Sequence, residues 1–473
     1  MSRVVKKRFT PKVLPVSERL RSFGEVVLGY DYETSVREAS RCLRCPLWFA
    51  PCSKACPLRV KVPAFLEYIV KGDLEAAARK VYEDNLFPSI TGRVCPQEWF
   101  CEGNCVVSKI GESVSVGLLE RYVGDYAREN GLDEKILAEM VSKNSGVKGR
   151  VAVVGSGPAG LSAAGWLRLR GYEVVVYEAL HRPGGVLAYG IPEFRLPRSV
   201  LDHEIKKVEN LGVEIRLNHV VGKTVLLSEL LSEYDAVFIG SGAGTPKLLN
   251  IPGVDLNNIY TANEFLTRVN LMRAHLFPEW DTPISVGKTT LIIGGGNTAM
   301  DAARVALRLG SKPVVVYRRD REDMLKTTRR DEVLHAEEEG VEFKYYLQPI
   351  EFLGDENGFV KAVRFEVMEP LNELDERGKK KIVGTGRYVE IPADTVVIAI
   401  GLEPNRLLME ESGLRFNEDG TIAVDDHLMM SLPGVFAGGD AIRGESTVVE
   451  AMADGKRAAE EIDLYVRRKK GLA

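Results

Sequence analysis

Apolar positions fall into two regimes along this chain. Up to about residue 145 they recur at three- and four-residue steps, as in VPAFLEYIVKGDLEAAARKVYED, the spacing of helices with one buried stripe. Past the polar stretch Lys143-Asn144-Ser145-Gly146 the pattern turns to short, continuous β-branched runs: VAVVG, EVVVYE, AVFIGSG, TLIIGGG, PVVVYRR, TVVIAIG and GVFAGGD. Runs of that kind are covered on both faces, as parallel strands are, and here they alternate with helical segments. The pattern predicts an α/β chain in which an N-terminal α-helical domain precedes two doubly wound, Rossmann-like dinucleotide-binding domains. A strand followed by a glycine loop occurs at 151–160 and again at 291–299, which is the reason for expecting two such domains.

Composition narrows the class. The 473 residues are 45% hydrophobic and 27% charged, with 45 Gly and 22 Pro, as in globular proteins with real cores. Lys and Arg total 63 against 67 Asp and Glu, so no general basic surface for nucleic acid exists. No apolar run reaches the ~18–20 residues of a membrane span, and MSRVVKKRFTPK leads into no apolar signal core, so a cytoplasmic protein is expected.

Gly155-Ser156-Gly157-Pro158-Ala159-Gly160 follows a strand and opens a helix, and Glu178 closes the next strand about 20 residues on. The glycines let backbone amides approach a pyrophosphate, and the carboxylate is placed to accept from ribose hydroxyls. After Glu178 come Gly184-Gly185, and near the other end Gly438-Gly439-Asp440 leads into TVVEAMADGKRAAEEI. This set resembles the flavoprotein reductases that bind two dinucleotides. The resemblance implies FAD in the first loop, Asp440 on its ribityl chain, and the helix start at Thr447 and Val448 aimed at the flavin ring.

The second loop, Gly294-Gly295-Gly296-Asn297-Thr298-Ala299, ends its following strand in Arg318-Arg319 where an NAD site usually carries an acid. A guanidinium suits the 2′-phosphate of NADPH, so NADPH is expected there, with Arg329 and Arg330 as further candidates. Disulfide reductases of this architecture carry a cysteine pair after the first loop. Here Gly184 to Tyr189 contains no sulfur, which excludes that output, and no Ser/His/Asp order points to hydrolysis.

All 7 cysteines lie in the first quarter, spaced Cys42-x2-Cys45-x6-Cys52-x3-Cys56-Pro57 and Cys95-x5-Cys101-x3-Cys105, and all 6 histidines come later. An odd, clustered set suits metal thiolate cages better than disulfides. The spacing fits iron-sulfur cubanes, with structural zinc as the alternative, and zinc carries no electrons for an attached reductase. Two cubanes need eight ligands, so either one cluster takes a non-cysteine ligand or only one is present.

The cysteine order, PSITGRVCPQEWFCEGNC, SVSVGLLERYVGDYA, GIPEFRLP, GGGNTAMDAARVALRLG and GGDAIRGESTVVEAM together resemble the glutamate synthase small chain family over nearly the whole chain. The same module is similar to the large subunit of NADH-dependent ferredoxin:NADP oxidoreductase and to the N-terminal part of dihydropyrimidine dehydrogenase. That resemblance implies a glutathione-reductase-like pair of domains, with FAD at 146–286 and 398–473, NADPH at 287–397, and two 4Fe-4S clusters within 1–145. It implies Cys42, Cys45, Cys52 and Cys105 for one cluster, and Cys56, Cys95 and Cys101 with Glu120 for the other. Glu120 stands where the pyrimidine enzyme has a glutamine; Gln97 and Glu98 are also near the cysteines in sequence.

The expected activity is electron transfer from NADPH through FAD to the clusters and on to a partner. That partner is a glutamate synthase large chain, a small flavin and 2Fe-2S subunit of a bifurcating assembly, or ferredoxin, and an oligomer is expected. With Met1-Ser2 at the start and no nucleophilic Cys beside them, glutamine chemistry is expected to reside in the partner. A non-enzymatic alternative is a zinc docking module joined to a nucleotide sensor.

Overall fold

The structure, a computed structural model, describes residues 5–142, 146, 148–375, 378–405 and 414–471. The expected linker residues Lys143–Ser145, and Met1-Ser2, lie outside these.

The α/β expectation holds. One sheet of five parallel strands runs in the order Val435–Ala437, Ala236–Ile239, Gly149–Val154, Tyr172–Tyr177, Glu214–Arg216. Its three central strands are buried almost throughout, which is why they read as unbroken Val and Ile runs. A second five-stranded parallel sheet is ordered Glu342–Tyr345, Lys312–Tyr317, Thr289–Ile293, Thr395–Ile398, Ile259–Thr261. The chain leaves the first unit through Thr245–Pro246 and returns through Leu402–Glu403, and these two segments pair antiparallel as a ribbon between the units.

The expected boundary at residue 287 is displaced. Ile259–Thr261 pairs in parallel with Thr395–Ile398, and helix Ala262–Asn270 shares a core with helix Asn297–Arg308, so the second unit starts near the ribbon at Thr245. An edge strand of three half-buried residues leaves no apolar run by which to recognise it. A three-stranded antiparallel sheet, Leu347–Gly354, Val360–Leu374 and Lys380–Pro392, is built onto this unit.

The N-terminal region is helical, as its periodicity predicts: Tyr32–Ala39, Val62–Lys71, Leu74–Tyr82, Pro88–Val94, Val116–Glu129 and Leu132–Ser142. It does not stand apart. Its apolar residues and those of the first α/β unit form one continuous core, with Leu86 lying where a side chain on Gly165 would otherwise sit. The buried Lys207 donates to the Leu86 carbonyl at 2.9 Å, and Lys456 of the C-terminal helix Val448–Lys469 donates to the Asp84 carbonyl at 3.0 Å. Among the described residues no helix is long and apolar enough to cross a membrane.

Candidate functional site: a cleft shared by two glycine loops and a cysteine loop

The first glycine loop is shaped by contacts that exclude side chains. Gly155 has φ +92°, and a Cβ there would lie 2.6 Å from the Gly240 carbonyl oxygen; on Gly160 it would overlap the Gly155 carbonyl. Gly157 precedes helix Pro158–Leu169, whose first position is taken by Pro158, a residue with no N–H to satisfy. Glu178 is buried at the strand end, accepting from the Ser156 N–H at 2.8 Å and the Leu180 N–H at 2.8 Å, while Gly184 donates to Ser156 Oγ at 3.0 Å. One carboxylate thus fixes the loop, the strand end and the Gly184-Gly185 turn together. Ala159 lines the cleft, its Cβ beside Gly439 and its carbonyl where Gly455 leaves room for it.

Across the cleft, Gly439 has φ +71° and its N–H donates to Asp454 at 3.0 Å. Asp440 accepts from Ser446 Oγ at 2.6 Å, and burial pushes its carboxyl up to about 6. Thr447 and Glu450 form a capping box on helix Val448–Lys469, whose positive end, with Thr447 and Val448, lines the cleft.

The second loop repeats the geometry. Gly294 has φ +138° and no room for a Cβ beneath the Ala399 carbonyl, whereas a Cβ on Gly296 would meet only open space. Asn297 accepts from the Arg329 N–H at 2.9 Å, and Thr298 lines the cleft. Ala299 does not reach it: fully buried, it packs in the core under the helix. Both Arg318 and Arg319 line the cleft, but their partners differ. Arg319 is committed to Asp375 at 2.6 Å and to the Lys380 carbonyl at 3.1 Å, while Arg318 is exposed at the cleft wall. Arg329 donates to the Arg93 carbonyl at 2.6 Å, and Arg330 gives its N–H to Glu98 at 3.1 Å.

Both loops open into one cleft of about 1410 Å³. That exceeds the ~300–1,000 Å³ usual for one small-molecule site and suits two dinucleotides meeting end to end. One further stretch of its wall has no counterpart in the sequence reading: Val94, Pro96, Trp99 and Phe100, from the segment that carries Cys95 and Cys101. An aromatic pair inside a cysteine spacer was the available signal. Arg195 and Asp301 also line the cleft, joined at 2.6 Å, and Arg195 reaches Glu332 at 3.1 Å. Asp301 follows Asn297 by one helical turn, which puts it on the same face.

The cysteines gather in two groups. Burial pushes the Cys52 thiol up to about 12, with Cys42, Cys105 and Cys45 adding to the effect. Cys56 is pushed up to about 11 by burial and then by Glu120; Cys95 is raised by burial, Glu120 and Cys56; and Cys101 is raised by burial, then by Glu102, Cys95, Cys56 and Glu120. Glu120 is buried, and its Oε1 accepts from Asn85 at 2.6 Å and Thr91 at 3.0 Å. Gln97, by contrast, spends its amide on the carbonyls of Thr91 and Gly92 at 3.3 and 3.5 Å. Among the described residues no three His, Cys, Asp or Glu side chains converge tightly enough to hold a single metal ion.

The comparisons place this geometry. Residues 149–455 match the pyridine nucleotide-disulphide oxidoreductase family, and residues 19–132 match the 4Fe-4S cluster domain known as dihydropyrimidine dehydrogenase domain II. The α/β part shares its fold with FprA of Mycobacterium tuberculosis, solved in complex with NADPH, at a TM-score of 0.56 and 22% identity over 69% of this chain and 86% of that one. Fold and site therefore define an oxidoreductase with two dinucleotide-binding units and a 4Fe-4S domain.

The glutamate synthase [NADPH] small chain of Azospirillum brasilense is 38% identical over 97% of this chain and 95% of its own length, and that of Escherichia coli is 35% identical over 96% of both. The chain belongs to the glutamate synthase small-chain family. The beta subunit of an NADP(+)-dependent formate dehydrogenase from Moorella thermoacetica is also similar, 36% identical over 94% of this chain and 64% of that protein.

Proposed function

We propose that the chain takes electrons from NADPH and delivers them, by way of FAD and two 4Fe-4S clusters, to a protein partner such as a glutamate synthase large chain. The observation that carries this reading is the shared cleft, in which the two glycine loops and the Cys95–Cys101 segment form one continuous lining. FAD, when bound, supplies the conversion between two-electron hydride and single electrons.

The residues present fit these groups. Gly155, Gly157, Pro158 and Ala159 border a path for a pyrophosphate to the helix start, Gly160 leaves room for the Gly155 carbonyl beneath it, and Gly185 and Asp440 border the same space. Gly294, Gly296, Asn297 and Thr298 do so for the nicotinamide dinucleotide, with Arg318 the exposed cation for a 2′-phosphate. Arg195, bridging to Asp301 and Glu332, holds the two units at a fixed approach. The four-thiol group of Cys42, Cys45, Cys52 and Cys105 suits one cubane. Cys56, Cys95, Cys101 and Glu120 suit the other, with Asn85 and Thr91 orienting the carboxylate.

Iron, acid-labile sulfide, zinc and flavin analysis of anaerobically purified protein tests the assignment. About eight iron and eight sulfide per FAD are expected. About four iron per FAD would reduce the clusters to one, and zinc without sulfide would overturn the reading.

A further inference from the structure

We infer that Asp301 orients the nicotinamide ring: its free carboxylate oxygen accepts a hydrogen bond from the carboxamide NH2 of the bound nucleotide and so fixes which face of the ring meets the flavin. The inference rests on the proposed function, in which NADPH occupies the second glycine loop.

Asp301 is only 3% exposed and yet lines the cleft. Its two oxygens are used unequally. Oδ2 accepts from Arg195 Nη1 at 2.6 Å, whereas Oδ1 is buried without a partner. Among the described residues no other residue lining the cleft carries a buried acceptor in that condition. A buried acceptor without a donor is a cost that a bound ligand can relieve.

Position selects the ligand group. Helix Asn297–Arg308 starts at the loop that suits a pyrophosphate, and Asp301 lies one turn further, about 6 Å along the same face. Arg195 comes from the first α/β unit, so the pair marks the seam where two dinucleotides would meet. On the half of the nucleotide that runs from pyrophosphate to flavin, the carboxamide is the one N–H donor. A carboxylate ionised by its pairing with arginine only accepts, so it selects the amide NH2 over the amide oxygen.

The carboxylate is also held still. Arg195 faces Glu332 at 3.1 Å, Glu332 accepts from Arg304 at 2.5 Å, and the Arg304 guanidinium lies 4.4 Å from the centre of the Phe194 ring. A fixed acceptor that grips the carboxamide stops the ring from turning about its bond to the ribose, and hydride transfer depends on that orientation.

The test compares NADP+ with its 3-acetylpyridine analogue, in which a methyl replaces the NH2, by calorimetry on the oxidised holoprotein. The parent is expected to bind NADP+ about 10–100-fold more tightly, the worth of a hydrogen bond to a charged group. Asp301→Asn should bring the two nucleotides within about threefold, because the asparagine turns its carbonyl to Arg195 and presents NH2 where an acceptor is needed. Asp301→Asn combined with Arg195→Gln removes both buried charges together and gives the same reading should the single variant fail to fold. Stereochemistry supplies a second readout. With NADPH deuterated on either face of C4, flavin bleaching in the parent should show a primary isotope effect for one face alone, and in Asp301→Asn for both. A parent that binds both nucleotides equally would overturn the inference. So would variants that lose the same affinity for both, the result expected of a ribose hydroxyl on Oδ1 or of a purely structural ion pair. A parent that binds NADP+ but whose flavin NADPH leaves oxidised defeats the proposed function instead, and the calorimetric comparison still decides the inference on that protein.

Discussion

Asn85 Nδ2 donates to Glu120 Oε1 at 2.6 Å, both groups buried, and Thr91 adds a second donor at 3.0 Å to the same oxygen. Two neutral donors on one oxygen fix the carboxyl, burial pushes it up to about 7, and the thiols of Cys56 and Cys95 feel its charge. Glu120→Ala is therefore expected to abolish or shift one of two cluster signals in EPR spectra of the reduced protein, while Glu120→Gln retains a modified signal. Spectra unchanged by both substitutions would remove Glu120 from the ligand set.

The two adjacent arginines are expected to behave differently. Arg318→Ala should raise the KM for NADPH by about 10–100-fold, the worth of a charge-assisted hydrogen bond, and leave that for NADH nearly unchanged. Arg319→Ala removes the pairing with Asp375 and should act on thermal stability instead. Steady-state kinetics with both nucleotides, beside melting curves, separate the two.

Much of this was legible in the sequence, for reasons that particular residues show. The glycine loops, Glu178 and Asp440 declare themselves because close backbone approach and strand ends impose local spacing. Arg318 and Arg319 were not separable, because the partner that claims Arg319 is Asp375, far along the chain. Ala299 fits the loop pattern yet serves the core, since one turn of helix decides which way a small residue faces. The wall of Trp99 and Phe100, and the Arg329 bond to the Arg93 carbonyl, depend on how the helical region docks, which no local pattern encodes.

Two glycines make a paired test of the dinucleotide loops. Gly160→Ala places a Cβ on the Gly155 carbonyl and should cost both bound FAD and several degrees of Tm. Gly296→Ala adds its Cβ to open space with φ at -91°, so Tm should hold while the KM for NADPH rises. An unchanged KM would mean that no nucleotide approaches that loop.

Asp440 gives a pH dependence with a defined sign. Its folded pKa is raised from 3.8 to about 6 by burial, so the folded state binds the proton more tightly than the unfolded chain. Stability of the flavin-free protein should fall as pH rises through the window from about 4 to about 6, and stay reduced above it. Asp440→Asn, which keeps an acceptor for Ser446, should raise Tm by a few degrees at pH 7 and leave it unchanged near pH 4. Scanning calorimetry at the two pH values checks this.

The central claim is that one cleft joins nicotinamide, flavin and cluster chemistry within this chain. Rapid anaerobic mixing of the holoprotein with NADPH, with flavin absorbance followed and samples frozen for EPR, tests it most directly. Flavin bleaching followed by reduced-cluster signals, without any added partner, is the predicted result. Bleaching with no cluster signal at any time, in protein shown to contain iron and sulfide, would contradict it.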